Sequence, residues 1–501
     1  MQPQKPSPDE EHLPTREYVG YALGDTASNL FFQTFGIFLT YFYTDVWGIA
    51  PAAIGTMFLV VRLFDASADP LIGMMADRTQ TRWGKFRPYL LWFAVPYGLG
   101  GYLLFASPEL SAGGKVTYAY VTYGFMMLMY SFINVPYSSM LGVISPSPRT
   151  RTRASAFRFV GAFGGGLAVS LLVRPFVQWL GDGLDEKGKI IHELKGFQLT
   201  MAIFAVVSVV LFLISFATTK ERVTPPPGQK ADVVGELSEL FRNFPWLMML
   251  LAAIFSLTFI GLRNGSAIYY YKYVFGDTGK PVLFSSYDAA RLAQLPDFSR
   301  LFVGAFQKLD HASIFIASGM FCQMLGSFCL SFFARIADKR ILSVLLTFCT
   351  AVSYISFAFI PTDNYGLQLA ANAFGSFCLG PTSALVWAMY ADVADYGEWK
   401  FGRRSTGLVY AASLFAIKTG TAAAGFLLPW VLAIYGYAAN MKQSDDAIQG
   451  IVLSFTLFPA AFAVLKGVML WLYPLSKAKV NQIEADLKAR RAAATPAAAQ
   501  T

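Results

Sequence analysis

Charge is scarce in this 501-residue chain: Asp, Glu, Lys and Arg together make up 14% of it, against 55% hydrophobic and 16% aromatic residues. A soluble domain carries about 25% charged residues, so this balance excludes one and defines a polytopic membrane protein. Histidine is scarcer still. His12, His192 and His311 fall in tails or loops, and together with Cys322, Cys329, Cys349 and Cys378 they offer no metal-ligand spacing. The cysteines lie in apolar segments and read as free buried thiols, with a disulfide the lesser alternative. No nucleotide-binding motif occurs, so a primary pump would need a partner subunit. The glycine run from Gly161 to Gly166 lacks the strand, Lys and Ser/Thr of a phosphate loop and reads as close helix packing. The N-terminus, MQPQKPSPDEEHLPTREY, lacks the basic-then-apolar order of a signal peptide. The formal charge of +9 sits in short connections rather than on one basic face, which argues against nucleic-acid binding.

What is present is a series of apolar runs of about 20 residues, each long enough to span a bilayer. Twelve are expected: 18–44, 51–76, 88–107, 116–142, 157–180 and 197–218, then 245–275, 312–333, 341–360, 367–392, 406–434 and 450–473. Every even-numbered loop is basic. Examples are Arg78, Arg82, Lys85 and Arg87 in the second, Arg149, Arg151 and Arg153 in the fourth, and Lys400, Arg403 and Arg404 in the tenth. Basic loops stay cytoplasmic, so both termini are expected there, in the cell (inner) membrane. The domain plan is a tail over 1–17, a six-helix bundle over 18–218, a central loop over 219–244, a second bundle over 245–473 and a tail over 474–501. The central loop carries Pro225-Pro226-Pro227-Gly228; an extracytoplasmic insertion is expected over 276–311, and the C-terminal tail, which ends in RAAATPAAAQT, reads as disordered. The fold class is therefore all-α integral membrane, twelve transmembrane helices in two pseudosymmetric six-helix bundles of the major facilitator type.

Within the second run, Asp65 and Asp69 are four residues apart and face one side of a helix, with Arg62 one turn before. An ionisable residue near the bilayer centre costs at least about 2.5–3.5 kcal/mol, so such groups line a cavity and have partners. An acidic pair on one helix face suits Na⁺ binding or protonation. The alternative is a purely structural ion network with Arg62, Arg158 and Lys418.

The segment RLFDASADPLIGMMADRTQTRWGKFRP resembles the signature of the glycoside–pentoside–hexuronide:cation symporter family. The likeness continues in YFYTDVWG (Tyr41–Gly48), NVPYSSML (Asn134–Leu141), RNGSAIYYYKYVFGD (Arg263–Asp277) and ADVADYGEWKFGRRSTG (Ala391–Gly407), in family order. The resemblance implies uptake of a sugar-like solute with Na⁺, H⁺ or Li⁺ by alternating access. By it, Asp65, Asp69, Asn134 and Ser131 are the expected cation-binding residues. Asn29, Asp25, Arg62, Asn134, Ser138, Arg158 and Lys418 are the expected solute-binding set, with Lys418 engaging the acidic pair from the second bundle. The chain also departs from the family. Galactoside-carrying members have aspartates at the positions of Asn29 and Asn134, a basic residue at that of Ser28 and a tryptophan at that of Ser138. An amide offers one acceptor and one donor group where a carboxylate accepts twice. With Arg62, Arg158 and Lys418 retained, a less negative site suited to an anionic solute such as a hexuronide is expected, unless Asp25 restores a carboxylate there.

Two further expectations concern gating and sugar stacking. Arg82, Lys85 and Arg87 are positive-inside anchors or a cytoplasmic latch with Asp77, Asp395 or Glu398. Tyr130, Tyr137, Tyr269, Tyr270 and Trp387 stack on sugar rings or simply pack. The alternatives in function are a carrier of an amphiphile or other non-sugar solute and, more remotely, a polytopic enzyme, for which no catalytic constellation is evident. No cofactor beyond the coupling Na⁺ or H⁺ is implied, and the carrier is expected to be a monomer partnered by the bilayer and its solute.

Overall fold

The computed structural model describes residues 13–145, 148–183, 185, 190–222, 240–276, 291, 303–304, 307, 309–329, 338–402 and 406–494. Among these residues the regular structure is helical, apart from one isolated bridge between Thr81 and Gly84. Lipid offers no partner to backbone amides, so each crossing must satisfy them within itself, which an α-helix does. The helices are α1 Thr15–Thr34, α2 Pro51–Arg78, α3 Arg87–Leu103, α4 Ala112–Met140, α5 Pro148–Leu180 and α6 Glu193–Thr218. Then follow α7 Phe244–Tyr269, α8 His311–Phe328, α9 Lys339–Ser356, α10 Tyr365–Phe401, α11 Thr406–Ile434, α12 Asp445–Phe455, α13 Leu457–Leu472 and α14 Lys477–Ala494. The helix begun by α1 continues through π-helical turns at Phe35–Leu39 and Phe42–Val46, and α7 through one at Tyr270–Phe275.

Helix boundaries follow ordinary start and stop chemistry. Pro occupies the first turn of α2 and α3, where its missing N–H is no loss. The side chains of Asp338 and Asn364 accept from Arg340 and Leu367 N–H at the starts of α9 and α10. Gly402, at φ +77°, ends α10 in the left-handed conformation that glycine adopts without strain. The expected spans fall on these helices with two extensions and one division: 450–473 is split at Thr456 between α12 and α13, and residues 330–333 of the span 312–333 lie outside the described residues. α5 begins at Pro148 and α10 runs to Phe401, since hydropathy marks only the apolar part of a helix that continues into polar sequence. Among the described residues, eight helices are long and apolar enough to cross a membrane by composition alone. α3, at 17 residues, is one residue short of that length.

The described residues form two compact units that do not follow the two sequence halves. One comprises 1–227, 264–320 and 425–451; the other comprises 228–263, 321–424 and 452–501. In the first, α1 packs on α5 and α6, α2 on α4, and α3 on α4 and α6. In the second, α9 packs on α10 and α13. The glycine run is a packing surface. A Cβ on Gly161 would lie 2.3 Å from the Ala22 carbonyl oxygen, and one on Gly165 would lie 3.0 Å from that of Thr26. The Thr26 hydroxyl donates to the Gly161 carbonyl at 3.0 Å across the same contact. Small residues thus let two backbones approach, which is how helices associate where lipid removes the hydrophobic drive.

Several local expectations need correcting. The C-terminal tail was expected to be disordered, yet its residues Lys477–Ala494 form α14, while 495–501 lie outside the described residues. This helix docks Ile483 and Leu487 into an apolar cluster with Trp246, Tyr390 and Tyr473. Asp486 accepts from Trp399 Nε1 at 2.9 Å, which fixes the helix laterally. The four cysteines are free as expected, but Cys322, Cys329 and Cys349 are half-buried and only Cys378 is buried. Most of the 219–244 loop and of the 276–311 insertion lies outside the described residues.

Because α1 and α5 touch through backbone, Gly161→Val should lower stability by about 1–3 kcal/mol through overpacking. Gly164→Ala faces open space, with nothing within 4 Å of its added Cβ, and should melt like the parent protein in detergent.

Candidate functional site

Charges meet inside the first unit at two places. On α2, Asp65 is 1% exposed while its neighbours Leu63 and Phe64 are 65% and 60% exposed, so one helix presents an apolar outer face and a buried acidic one. Ser131 of α4 donates to Asp65 Oδ1 at 2.7 Å. The Arg62 guanidinium lies 3.8 Å from Asp65 Oδ2 and donates from Nε to the Tyr123 hydroxyl at 3.1 Å. Asp69 follows one turn later and is half-buried. The fold therefore brings Ser131, which the resemblance named, to Asp65, whereas Tyr123 carried no signal in the sequence beyond being aromatic.

The second place joins α1, α4 and α5. Arg158 donates from Nε to Asp25 Oδ2 at 2.6 Å and from Nη2 to Oδ1 at 3.2 Å, a two-pronged match of fork to carboxylate. Tyr137 donates to the same carboxylate at 3.2 Å, and the guanidinium lies 4.6 Å from the Tyr137 ring centroid and 5.4 Å from that of Tyr21. Gly24 makes room for this, since a Cβ there would lie 2.5 Å from the Tyr137 ring. Close by, Ser28 donates to Asn134 Oδ1 at 3.1 Å, Asn134 donates to the Tyr130 carbonyl at 3.1 Å, and Asn29 donates to the Asp25 carbonyl at 2.9 Å. Ser138 is half-buried one turn beyond Asn134.

This geometry realises the alternative left open for Asp25, which places a carboxylate beside Arg158. Arg158 is neutralised by Asp25 and Arg62 lies against Asp65, so both guanidiniums have a carboxylate. Asp65, Asp69 and Asp25 set against Arg62 and Arg158 leave the cluster of this unit with one net negative charge. That suits a monovalent cation. The serine hydroxyl and amide oxygens nearby supply the hard oxygen ligands that Na⁺ or a proton relay would use.

The other expected residues are distributed as follows. Lys418 is half-buried on α11 in the second unit. Asp395 and Glu398 are half-buried near the end of α10 in the same unit. Arg82 lies over the Trp83 ring at 4.4 Å, while Arg87 donates to the carbonyls of Phe216 at 2.7 Å and Trp83 at 3.3 Å. The Asp77 side chain lies outside what is described. Glu221, unnoticed in the sequence, accepts from the N–H groups of Lys85, Phe86 and Arg87, each at 2.8 Å, and so caps α3. Of the candidate sugar platforms, Tyr130 stacks on Phe32 at 5.8 Å and Trp387 packs edge-on to Tyr390 at 6.0 Å. Tyr269 and Tyr270 are fully buried.

The helical architecture and an ionisable cluster on transmembrane helices define a carrier of the major facilitator fold. Solved structures agree on the fold. A bacterial homologue of the lysosomal transporter Spinster matches with TM-score 0.59 at 15% identity over 93% of this chain and 100% of that one. A D-xylose-proton symporter matches with TM-score 0.57 at 12% identity over 92% and 96%. The model of the MFS/sugar transport protein family matches residues 20–287 and 298–477. Among curated relatives, the putative glycoside/cation symporter YagG of Escherichia coli is 34% identical over 96% of both chains. A glucuronide carrier protein homologue of the same organism is 32% identical over 96% of this chain and 97% of that one. The isoprimeverose transporter of Lactiplantibacillus pentosus is 31% identical over 96% and 92%. The chain belongs to the glycoside–pentoside–hexuronide:cation symporter family of the major facilitator superfamily.

Breaking a buried pair by removing one partner costs about 3–5 kcal/mol, because the survivor is left uncompensated. Asp25→Asn should therefore melt well below the parent, and adding Arg158→Gln should recover most of the loss. Equal melting of the single and double variants would show that the two residues are not coupled.

Proposed function

We propose that the protein is a secondary active symporter that takes up a sugar-like solute, a glycoside, monosaccharide or hexuronide, together with Na⁺ or H⁺. The observation that carries this reading is the acidic face of α2, with Asp65 buried and held by Ser131 and Arg62 inside a cluster bearing one net negative charge. An excess carboxylate at bilayer depth is costly in any orientation that exposes it to lipid or an apolar wall. A bound cation cancels that charge. Coupling then follows from differential stabilisation: the state that crosses is favoured when the acidic pair is neutralised, and solute adds to the same preference. Names of relatives support the solute class, since they include a glycoside/cation symporter, a glucuronide carrier homologue and an isoprimeverose transporter.

Cation binding falls to Asp65 and Asp69, with Ser131 and Asn134 as neutral ligands. Solute binding falls to the polar strip of Asn29, Asn134 and Ser138, with Arg158 and Asp25 as a neutral, fork-shaped pair that presents donors and acceptors together to a diol. A pair of this kind favours a neutral sugar as well as it does an acid, so it does not single out an anionic solute. Basic even-numbered loops support cytoplasmic termini and insertion in the cell membrane.

In proteoliposomes offered labelled neutral and acidic glycosides, one solute should accumulate under an imposed Na⁺ gradient or an imposed pH gradient. Asp65→Asn and Asp69→Asn should each abolish accumulation while leaving the protein folded and still binding solute. Cation-driven accumulation surviving in both variants would refute the assignment of the acidic pair.

A further inference from the structure

The two sequence landmarks that the solute site leaves unused, YFYTDVWG and RNGSAIYYYKYVFGD, meet in the first unit around Asp45. Its carboxylate has 0% side-chain exposure. Twenty residues beyond Asp25 along one continuous helical run, it lies roughly 30 Å from that residue at 1.5 Å per residue. Lys272 Nζ lies 2.7 Å from Asp45 Oδ1, the hydroxyls of Tyr273 and Tyr437 donate to its two oxygens, and Thr44 donates to Oδ2 at 2.7 Å. Asn440 donates to the Asp45 carbonyl and accepts from Lys272 at 2.9 Å. The network continues sideways: Tyr41 accepts from Lys272 at 3.3 Å and donates to Glu193 at 3.1 Å, and Arg174 bridges Glu193 at 2.8 Å and Asp310 at 2.7 Å. Residues 41–45, 174 and 193 are thereby tied to 272–273, 310 and 437–440, which lie in the other half of the sequence.

Two features distinguish this cluster from permanent scaffolding. The ties to Asp45, Lys272 and Arg174 are polar, so each of these donors and acceptors can exchange its partner for water when the segments part, while the Tyr41 and Tyr269 rings meet edge-on at 6.2 Å beside them. Apolar packing has no such substitute. Moreover, the acid and the base both ride on π-helical turns, Phe42–Val46 and Tyr270–Phe275. Such turns are rare and concentrate at functional sites. Moving one by a single residue rotates the helix beyond it by about 100°, enough to swing Asp45 or Lys272 out of contact.

We propose that Asp45 is the keystone of a polar latch, completed by Lys272, Tyr273, Tyr437 and Asn440, that closes the end of the carrier opposite its termini and opens to admit solute. The inference rests on the symporter reading and on the cytoplasmic placement of the termini, which make this the extracytoplasmic gate. Asp45 acts as a positioning residue: it sets which side is open and touches no solute.

The test needs no knowledge of the solute. Gln33, one turn from Asn29 and donating to it at 3.4 Å, lies between the solute strip and the latch. In a Gln33→Cys background, a membrane-impermeant maleimide is applied to right-side-out and inside-out vesicles. Labelling of that residue is read by mass spectrometry, so the native cysteines do not interfere. Losing a charge-assisted contact should speed labelling from the extracytoplasmic side about tenfold in Asp45→Asn and in Lys272→Gln. The exchange of Asp45→Lys with Lys272→Asp should restore slow labelling. Tyr437→Phe, which leaves the ion pair in place, should give a smaller acceleration and serves if Asp45→Asn fails to fold. Unchanged labelling in folded Lys272→Gln and Tyr437→Phe, or acceleration only from the cytoplasmic side, would overturn the latch. Failure to find a transported solute would count against the symporter reading and leave the labelling result standing.

Discussion

A charge held at bilayer depth must have a partner, and this requirement organises the first unit. Three carboxylates there are tied to cations on other parts of the chain or on the same helix: Asp25 to Arg158, Asp65 to Arg62, and Asp45 to Lys272. Pairing lowers a penalty that would otherwise fall on each group separately. It also fixes registers. Arg158 reaches Asp25 with both prongs only if α1 and α5 approach through Gly161 and Gly165, where backbone meets backbone. Close packing by small residues and burial of charge are therefore one design: the glycines set the distance, and the ion pair sets the rotation.

The three pairs are not equivalent. Asp25 and Arg158 have a two-pronged match and two tyrosine rings around them, a preorganised arrangement that resists separation. Asp65 and Arg62 share a helix at a spacing of three residues, with a looser 3.8 Å contact, and a serine hydroxyl occupies the better position on the carboxylate. A weak intrahelical pair leaves the carboxylate able to accept a cation without dismantling the fold. This is the physical ground for placing ion binding at Asp65 and Asp69 and solute orientation at Asp25 and Arg158.

Much of this was legible in the sequence, because hydropathy reports directly on what lipid tolerates. Most expected spans fall on helices, but α5 and α10 continue past their apolar parts into charged turns and the last span is divided into α12 and α13. Ser131 and Asp65 were paired in advance by motif resemblance. The misreadings have a common physical origin. Asp25 and Arg158 were both named but not paired with each other, because they stand 133 positions apart and a salt bridge at that separation leaves no local periodicity. Disorder was read into the alanine-rich terminus, yet Ile483 and Leu487 suffice to dock α14 beside Trp399. Tyr123, Glu221 and Lys272 went unremarked, since each becomes a partner only through tertiary geometry.

The same geometry explains why the two sequence halves fail to appear as the two compact units. Segments 264–320 and 425–451 are gathered with the first half, and the contacts that hold them include the polar set around Asp45 and Arg174. Packing adds to this: a Cβ on Gly55 of α2 would lie 2.7 Å from the Trp430 ring, and one on Gly425 would lie 3.1 Å from Phe58. An association that rests in part on buried carboxylates and hydroxyls, with glycines admitting rings at close approach, is specific in register. Pseudosymmetric halves joined only by apolar area would be committed to one arrangement. Halves joined by exchangeable polar contacts at one end can part there without exposing a hydrophobic core to water, and alternating access demands that property of whichever end is closed.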